Sequence, residues 1–172
     1  MKIILLILIV FVGMVLLMAL IGIFLPRTHQ ATRAAVFSRQ PSELYAVICN
    51  FAALPSWRSN LPGVEILPPR DGHVCFREMS RHRPITYTVL EDKAPERLVI
   101  QISDKNLPFG GTWTYEISAE PNGSRLRITE RGEIKNALFR FLARFVFGYT
   151  GTMETYLRDL GKKFGERVTP IP

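Results

Sequence analysis

The sequence predicts an α+β protein in which a curved antiparallel sheet wraps around a long C-terminal helix, preceded by one N-terminal transmembrane helix. Three observations predict this class. An uninterrupted apolar run lies near the N-terminus, a series of short alternating segments typical of strands follows it, and the last long segment has an apolar residue at every third or fourth position.

The N-terminal run, Ile3 to Leu25, contains no charged side chain, and as a helix its 23 residues would span about 34 Å. That exceeds the hydrocarbon core of a bilayer, which is about 30 Å thick. Pro26 and Arg27 then end the apolar run. A cleaved signal peptide has a shorter apolar core and small residues before the cut, and this run has neither feature. We therefore expect residues 1–26 to be a retained membrane anchor and residues 27–32 to be a linker.

The formal net charge is +7, and Lys2 is the single charged side chain before Arg27. Arg27, Arg33 and Arg39 follow the apolar run, so the positive-inside rule favours a cytoplasmic domain in a single-pass membrane protein, although a periplasmic or extracellular domain stays open. The basic residues are scattered along the chain. A moderately basic surface of this kind suits an anionic membrane face, and we do not expect nucleic acid as a partner.

Residues 33–168 are sufficient for one domain with its own core. The pattern predicts a strand over Arg33–Phe37, a helix over Pro41–Asn50 and a short helical turn over Phe51–Ser59. Six further strands are predicted, over Val64–Leu67, His73–Met79, Ile85–Leu90, Arg97–Ser103, Gly111–Ala119 and Ser124–Ile134. One helix is predicted over Asn136–Glu166, with a kink or a close approach to the sheet at Gly148 and Gly151.

Several segments carry a resemblance to a known family when they are taken in order. They are Gln40-Pro-Ser-Glu-Leu-Tyr-Ala-Val-Ile, Leu54-Pro-Ser-Trp57, Gly110-Gly-Thr-Trp113-Thr-Tyr115-Glu-Ile, Arg127-Ile-Thr-Glu130-Arg-Gly132-Glu and the final helix. Over residues 33–166 the chain resembles the helix-grip fold of the START-like (SRPBCC) superfamily, in particular its polyketide cyclase/dehydrase and lipid-transport branch. The resemblance implies a hydrophobic pocket between sheet and helix, and it does not imply one reaction.

Side chains alternate along a strand, so position parity assigns them to the two faces of the sheet. In the last strand this places Glu130 on the apolar, concave face, where a carboxylate is costly unless it is paired or protonated. We interpret Glu130 as an anchor for a ligand head group or as a general acid. An internal pair with Arg77 or a tyrosine stays open as the alternative. The candidate cavity residues are Trp57, Tyr87, Val89, Ile100, Trp113, Tyr115, Ile128, Glu130, Tyr149 and Met153, and ordinary core packing is the alternative for the aromatic ones.

The start of the final helix is apolar on nearly every side, with phenylalanine and arginine interleaved. This composition suits a membrane interface, where rings insert and guanidinium groups meet phosphates. The candidate membrane-contact residues are Phe139, Arg140, Phe141, Arg144 and Phe147. Burial under loops or a contact between two copies of the chain stays open for them.

Three function hypotheses follow from these features. The first is a membrane-anchored protein that binds or carries a small hydrophobic or amphipathic ligand such as a lipid, a quinone or a polyketide-like compound. The second is a cyclase- or aromatase-type enzyme that uses Glu130 with Tyr87 or Tyr115, and the third is an interaction module with a filled core. We find no metal-ligand spacing, no phosphate-binding loop and no complete catalytic set, so no metal, no cofactor and no catalytic residues are expected. The histidines His29, His73 and His82 are expected at the surface, and the oligomeric state is left open.

Overall fold

The computed structural model describes residues 2–80, 83–104 and 106–172. Six elements precede the middle of the sheet: α1 (Lys2–Phe24), β1 (Thr28–Phe37), α2 (Pro41–Cys49), a 3-10 helix (Phe51–Ser56), β2 (Gly63–Arg70) and β3 (His73–Met79). The rest are β4 (Ile85–Lys93), β5 (Arg97–Ile102), β6 (Phe109–Glu120), β7 (Gly123–Ile134), α3 (Ala137–Leu142), a π-helical turn (Ala143–Phe147) and α4 (Gly151–Lys163).

The seven strands form one antiparallel sheet in the order β1-β7-β6-β5-β4-β3-β2. Sequential hairpins place β2 to β7 side by side, and β1 closes the sheet by pairing along its whole length with β7, from Thr28 opposite Glu133 to Phe37 opposite Ser124. Near the C-terminus Ile171 exchanges two backbone hydrogen bonds with Ala34 and so covers part of the exposed edge of β1. The predicted α+β helix-grip fold with an N-terminal apolar helix is confirmed.

The core lies between the concave face of the sheet and two helices, α2 and α4. It is a single cluster in which Leu126 and Ile128 of β7 contact Met153, Tyr156 and other buried side chains of α4. The inward set predicted for β7 from parity is confirmed, because Leu126, Ile128 and Ile134 are buried and Arg127 is exposed.

The first strand differs from the sequence expectation. β1 begins at Thr28, five residues before the predicted start at Arg33, so residues assigned to a linker are paired with β7. The polar composition of this stretch is that of an edge strand, and its partner is about 100 residues away, which a local pattern does not show. Only Leu25, Pro26 and Arg27 separate α1 from the sheet.

The prediction of one continuous C-terminal helix is wrong. The helix ends in the π-helical turn at Phe147, Gly148 takes a left-handed backbone conformation with φ of 71°, and α4 starts at Gly151. A residue with a Cβ rarely adopts this φ, which explains why a glycine stands at the break. α4 packs on the sheet, whereas α3 packs mainly against α1. The position of the break agrees with the disturbance expected at Gly148 and Gly151.

Candidate functional site

The centre of the concave face is almost completely filled. The void left between α4 and the sheet beside Tyr115 and Tyr156 is about 10 Å³, which is the volume of roughly one water-sized probe. From the sequence and its family resemblance, an incompletely filled hydrophobic pocket is expected at this place. The structure corrects this, because aromatic side chains and a buried ion pair occupy the space.

The ion pair joins Arg58 and Glu78, and the sequence analysis missed it. The Arg58 guanidinium also lies over the ring of Tyr156, 5.3 Å from its centroid. Burial and the neighbouring Glu78 carboxylate raise the pKa of Tyr87. Parity along β3 was the available signal, because Glu78 shares the inward face with the buried Phe76.

Open space is found instead at the end of the sheet where β1 begins. A groove of about 420 Å³ lies between the strand ends and the break that separates α3 from α4. Small-molecule sites commonly have volumes of about 300–1,000 Å³. The groove is lined by the side chains and backbone of His29, Ile102, Phe109, Gly110, Glu130, Glu133, Ile134, Phe139, Ala143, Phe147, Gly148, Tyr149, Gly151 and Thr152.

Glu130 is the buried carboxyl group of this groove. Its side chain is 22% exposed and lies opposite Trp113 in the β6–β7 register. Burial raises the pKa of Glu130 to about 7, and a hydrogen bond with the Trp113 side chain acts in the opposite direction. The Trp113 indole can only donate a hydrogen bond, so it binds a Glu130 oxygen as an acceptor. When Glu130 is protonated, its O–H group still needs an acceptor. Near neutral pH Glu130 therefore exchanges between a hydrogen-bond donor and an acceptor.

His29 faces Glu130 from β1, with 3.8 Å between Nε2 and Oε1. The expectation of a surface histidine in a linker is wrong, since its side chain is 13% exposed and its ring stacks on Tyr149 at 4.1 Å. Burial lowers the pKa of His29 and raises that of Glu130. The distance alone would allow an ion pair, but both shifts favour the neutral forms. Burial thus favours a contact between the neutral forms, in which Glu130 loses its proton near pH 7.

Gly132 makes room for this arrangement. It lies opposite His29 in the β1–β7 register, and a Cβ built on Gly132 would overlap the imidazole ring. On the other side of the groove Arg33 donates from Nε to Glu154 at 3.0 Å and from Nη2 to Thr150, which ties the start of α4 to β1. The walls of the groove are thus fixed by contacts between distant parts of the chain.

The structure divides the predicted cavity residues into two groups. Glu130 and Tyr149 line the groove, and Trp113 is bonded to Glu130. The remaining residues lie in or against the filled core and not along the groove; they are Trp57, Tyr87, Val89, Ile100, Tyr115, Ile128 and Met153. Trp57 packs edge-on to Tyr156, and its buried Nε1 has no hydrogen-bond partner among the described residues.

Among the described residues, no hydrogen bond or ion pair joins Glu130 to Arg77 or to a tyrosine. Arg77 binds Glu65 on the other face of the sheet, and Tyr87 and Tyr115 do not line the groove. The pairing with His29 was missed because His29 was assigned to a linker. The glycine opposite it, Gly132, is the signal that could have indicated a close approach.

The predicted membrane-contact residues also divide into two groups. Phe147 is 63% exposed, Arg144 is exposed, and Phe139 and Phe141 are partly covered. Arg140 differs from the expectation, because it is only 6% exposed. Its Nε donates to the Gly22 carbonyl at 2.8 Å, and Nη1 donates to the carbonyls of Ile134 and Lys135. Arg140 therefore binds backbone at the C-terminal end of α1 and cannot meet a phosphate.

Within residues 2–80, 83–104 and 106–172 no group of three or more His, Cys, Asp or Glu side chains is placed to hold a metal ion. His73 is exposed at the start of β3, and His82 lies outside the described residues. The ionisable side chains that line the groove, among those described, are His29, Glu130, Glu133 and Tyr149. The site offers proton donors and acceptors beside an apolar wall.

Comparison with known proteins decides the family. Residues 28–165 match the family model described as polyketide cyclase / dehydrase and lipid transport. The chain belongs to this family. A comparison with curated protein sequences gave no significant match.

Solved structures agree with the family's START-like fold. A START superfamily protein from Mycobacterium smegmatis superposes with a TM-score of 0.60 at 15% identity, over 80% of this chain and 97% of that one. Norcoclaurine synthase from Thalictrum flavum gives 0.63 at 11% identity, over 81% and 88% of the two chains. The di-domain ARO/CYC StfQ from the steffimycin biosynthetic pathway gives 0.62 at 11% identity and 80% coverage, and the present chain spans about half of it, 52%. At these identities the similarity establishes the fold of this family member alone.

Proposed function

We propose that this family member is a membrane-anchored protein that binds a small amphipathic molecule in the groove between the strand ends and the α3–α4 break. The observation that carries the proposal is the groove itself. It has about 420 Å³ of space, a mainly apolar lining and one buried carboxyl group whose pKa is close to neutral. A ligand of this site buries its apolar part against Ile102, Ile134 and Phe109 and directs its polar head toward Glu130.

The neutral pair of Glu130 and His29 indicates the kind of head group. A protonated carboxyl donates a hydrogen bond, and a neutral imidazole both donates and accepts. Such a pair suits a hydroxyl or carbonyl group, as in an alcohol, a quinone or a polyketide-like ketone. A carboxylate or phosphate head would lie beside Glu133 and beside a Glu130 that loses its proton near pH 7, and it is disfavoured for that reason.

Two observations support a retained anchor. α1 is long and apolar enough to cross a membrane, and most of its large side chains are more than half exposed, which water would penalise heavily. In addition, the C-terminal end of α1 is bound to the domain through Gly22 and Arg140. A leader that is cleaved after export would have no use for such a contact.

Native mass spectrometry of the full chain in detergent micelles tests the binding function. We expect a small apolar compound to be released from the wild-type protein and lost from Ile102→Trp, which fills the groove. Ile66→Trp is the matched control, because Ile66 is exposed on β2 away from the groove. Equal retention by both variants, or no compound above the detergent background, would contradict the proposal.

A second candidate function is acid–base catalysis on the bound molecule. The specific observation in its favour is the juxtaposition of Glu130 and His29, two titratable groups 3.8 Å apart beside open space. If it is correct, Glu130→Gln, which keeps the shape of the side chain, will retain a compound that differs in mass or chromatographic retention from the wild-type compound. The same compound in both proteins would favour binding alone.

A further inference from the structure

α1 and α3 share an interface that extends into the apolar run. The shielded residues of α1 recur at helical spacing on one face, at Val15, Met18, Ala19 and Gly22. From Val15 to Gly22 this face extends about 10 Å along the helix axis. α3 packs against α1. The shielded face of α1 therefore runs back from its C-terminal end over about two turns of helix.

The closest approach is at Gly22. A Cβ on Gly22 would overlap the carbonyl oxygen of Ala137, so only glycine permits the two backbones to come this close. Small residues serve the same purpose where helices pack in a membrane. By contrast, Gly13 has no neighbouring atom within 4 Å. The glycine at the contact is therefore a structural requirement, and the other one is not.

Arg140 satisfies the polar groups at this contact. The last carbonyls of a helix have no partner within the helix, and its C-terminal end attracts a positive charge. Arg140 provides both a hydrogen-bond donor for the Gly22 carbonyl and a positive charge at the end of α1. It also donates to the carbonyls of Ile134 and Lys135. A guanidinium group with its donors bound to three carbonyls can lie at the edge of the hydrocarbon region, where an unpaired one would be very costly.

The outer side of the same segment is strongly apolar. Phe145, Val146 and Phe147 follow one another at 60%, 61% and 63% exposure. The patch follows directly on α3, which packs against the exposed apolar helix α1. An exposed patch of this kind needs a partner. Its place next to α3, which packs on a helix long and apolar enough to cross the bilayer, identifies lipid acyl chains as that partner.

We propose that the segment from Ala137 to Phe147 inserts into the bilayer beside α1 as a second membrane-embedded element. This inference rests on the membrane anchor of the proposed function. It places Phe139 and Phe147, which line the groove, at the level of the lipid. The groove then opens toward the leaflet, and an apolar ligand can enter it from the bilayer without crossing water.

Site-directed spin labelling of the full chain in phosphatidylcholine nanodiscs tests this insertion. In a background without Cys49 and Cys75, single labels are placed at Phe145 and Phe147, with Leu16 of α1 as the lipid reference. Val74 is the water reference, because it is exposed at the far end of the sheet. We expect the labels at Phe145 and Phe147 to behave like the label at Leu16. Each should collide more often with oxygen than with a water-soluble nickel reagent.

The outcomes separate this inference from the anchor. The insertion alone would be overturned if the labels at Phe145 and Phe147 had the nickel collision rate of the Val74 label while the Leu16 label stayed in lipid. A water-accessible Leu16 would overturn the anchor as well. Shielding of Phe145 and Phe147 from both reagents would show that a second copy of the chain covers the patch, and would also overturn the proposal.

A pair of glycine variants tests the role of the α1–α3 contact. Gly22→Leu should separate α3 from α1 and increase the nickel collisions of the label at Phe147. Gly13→Leu, which adds the same side chain where space is open, should leave the label unchanged. No change with Gly22→Leu would contradict the role assigned to this contact.

Discussion

At the scale of single residues, the site depends on how Glu130 is buried. Its pKa of about 7 means that the folded protein keeps a proton, between about pH 4.5 and 7, that the unfolded chain has released. Stability from this group is therefore greatest at low pH and falls as the pH rises toward 7. Since one pKa unit corresponds to about 1.4 kcal/mol, the cost of ionising Glu130 in the folded protein is about 3 kcal/mol.

We predict that Glu130→Gln raises the thermal stability of the protein at pH 8 and has little effect at pH 5. Thermal denaturation of both proteins across this range gives the difference. His29 changes stability in the other direction, since burial lowers its pKa and its contribution is lost as the pH falls, but it is present in both proteins. Glu96→Gln, which removes an exposed charge, is the control. A stability difference independent of pH would refute the interpretation.

The space at Gly132 gives a second prediction at this scale. Gly132→Ala should displace the His29 ring from Tyr149, because the added methyl group would overlap the imidazole. The Cε1–H resonance of His29 in an NMR spectrum should then lose the ring-current shift of the stacked tyrosine. Gly63→Ala is a suitable control, since a Cβ there would meet Met79 at an ordinary distance of 3.7 Å. An unchanged His29 resonance would show that the ring is not held where the structure places it.

Local pattern predicted some of these residues and not others. Alternation along β7 placed Glu130 on the inward face, because apolar and polar residues alternate in a strand that is buried on one face only. The partner of Glu130 could not be found in this way, because His29 lies on a polar edge strand that is defined only by its pairing with β7. Arg140 was assigned to the surface for a similar reason. The carbonyl groups that it binds belong partly to α1, more than 100 residues away in sequence.

At the scale of elements, the break at Gly148 separates two tasks. α4 is amphipathic and packs its buried face on the sheet, whereas α3 packs on α1. The apolar stripe read from the sequence continues through the break, and this continuity predicted one helix where there are two. The spacing of apolar residues at every third or fourth position shows which residues need to be covered, but it does not show which element covers them. The groove exists because the two helices diverge at this point.

We predict that Arg140→Ala destabilises the packing of α3 on α1. Three carbonyl groups would lose a charged donor, and the expected loss is about 2–3 kcal/mol of unfolding free energy. Thermal denaturation in detergent measures this change. Arg144→Ala is the matched control, because Arg144 is exposed in the same segment and should change stability by less than about 0.5 kcal/mol. Equal effects of the two substitutions would contradict the assignment.

At the scale of the whole molecule, the fold places the groove, the break and the C-terminal end of α1 at one end of the sheet. The hairpins from β2 to β7 were predictable, since each alternating segment and each turn is local, but the pairing of β1 with β7 was not. The filled core was not, because the space is taken by side chains from separate elements, such as Arg58, Glu78 and Tyr156. The groove lies at the ends of several strands and helices. It could not be predicted from the sequence because no single segment contains enough of its lining residues.

Removal of α1 should affect the rest of the molecule. We predict that a chain lacking residues 1–26 aggregates, because the face of α3 that α1 covers would join the exposed patch at Phe145 and Phe147. Detergent, or Phe145→Ser with Phe147→Ser, should restore part of its solubility. Size-exclusion chromatography with light scattering distinguishes these states. A monomeric truncated chain in buffer would show that the patch does not need lipid or α1.

The central claim is that the groove holds a small molecule taken from the membrane, and photo-crosslinking in native membranes tests it most directly. A photoreactive phenylalanine analogue is placed at Phe109, which lines the groove, and for comparison at the exposed Val74. The account predicts a discrete small-molecule adduct at position 109 that is absent at position 74 and is lost with Ile102→Trp. No adduct at position 109, or the same adducts at both positions, would contradict it.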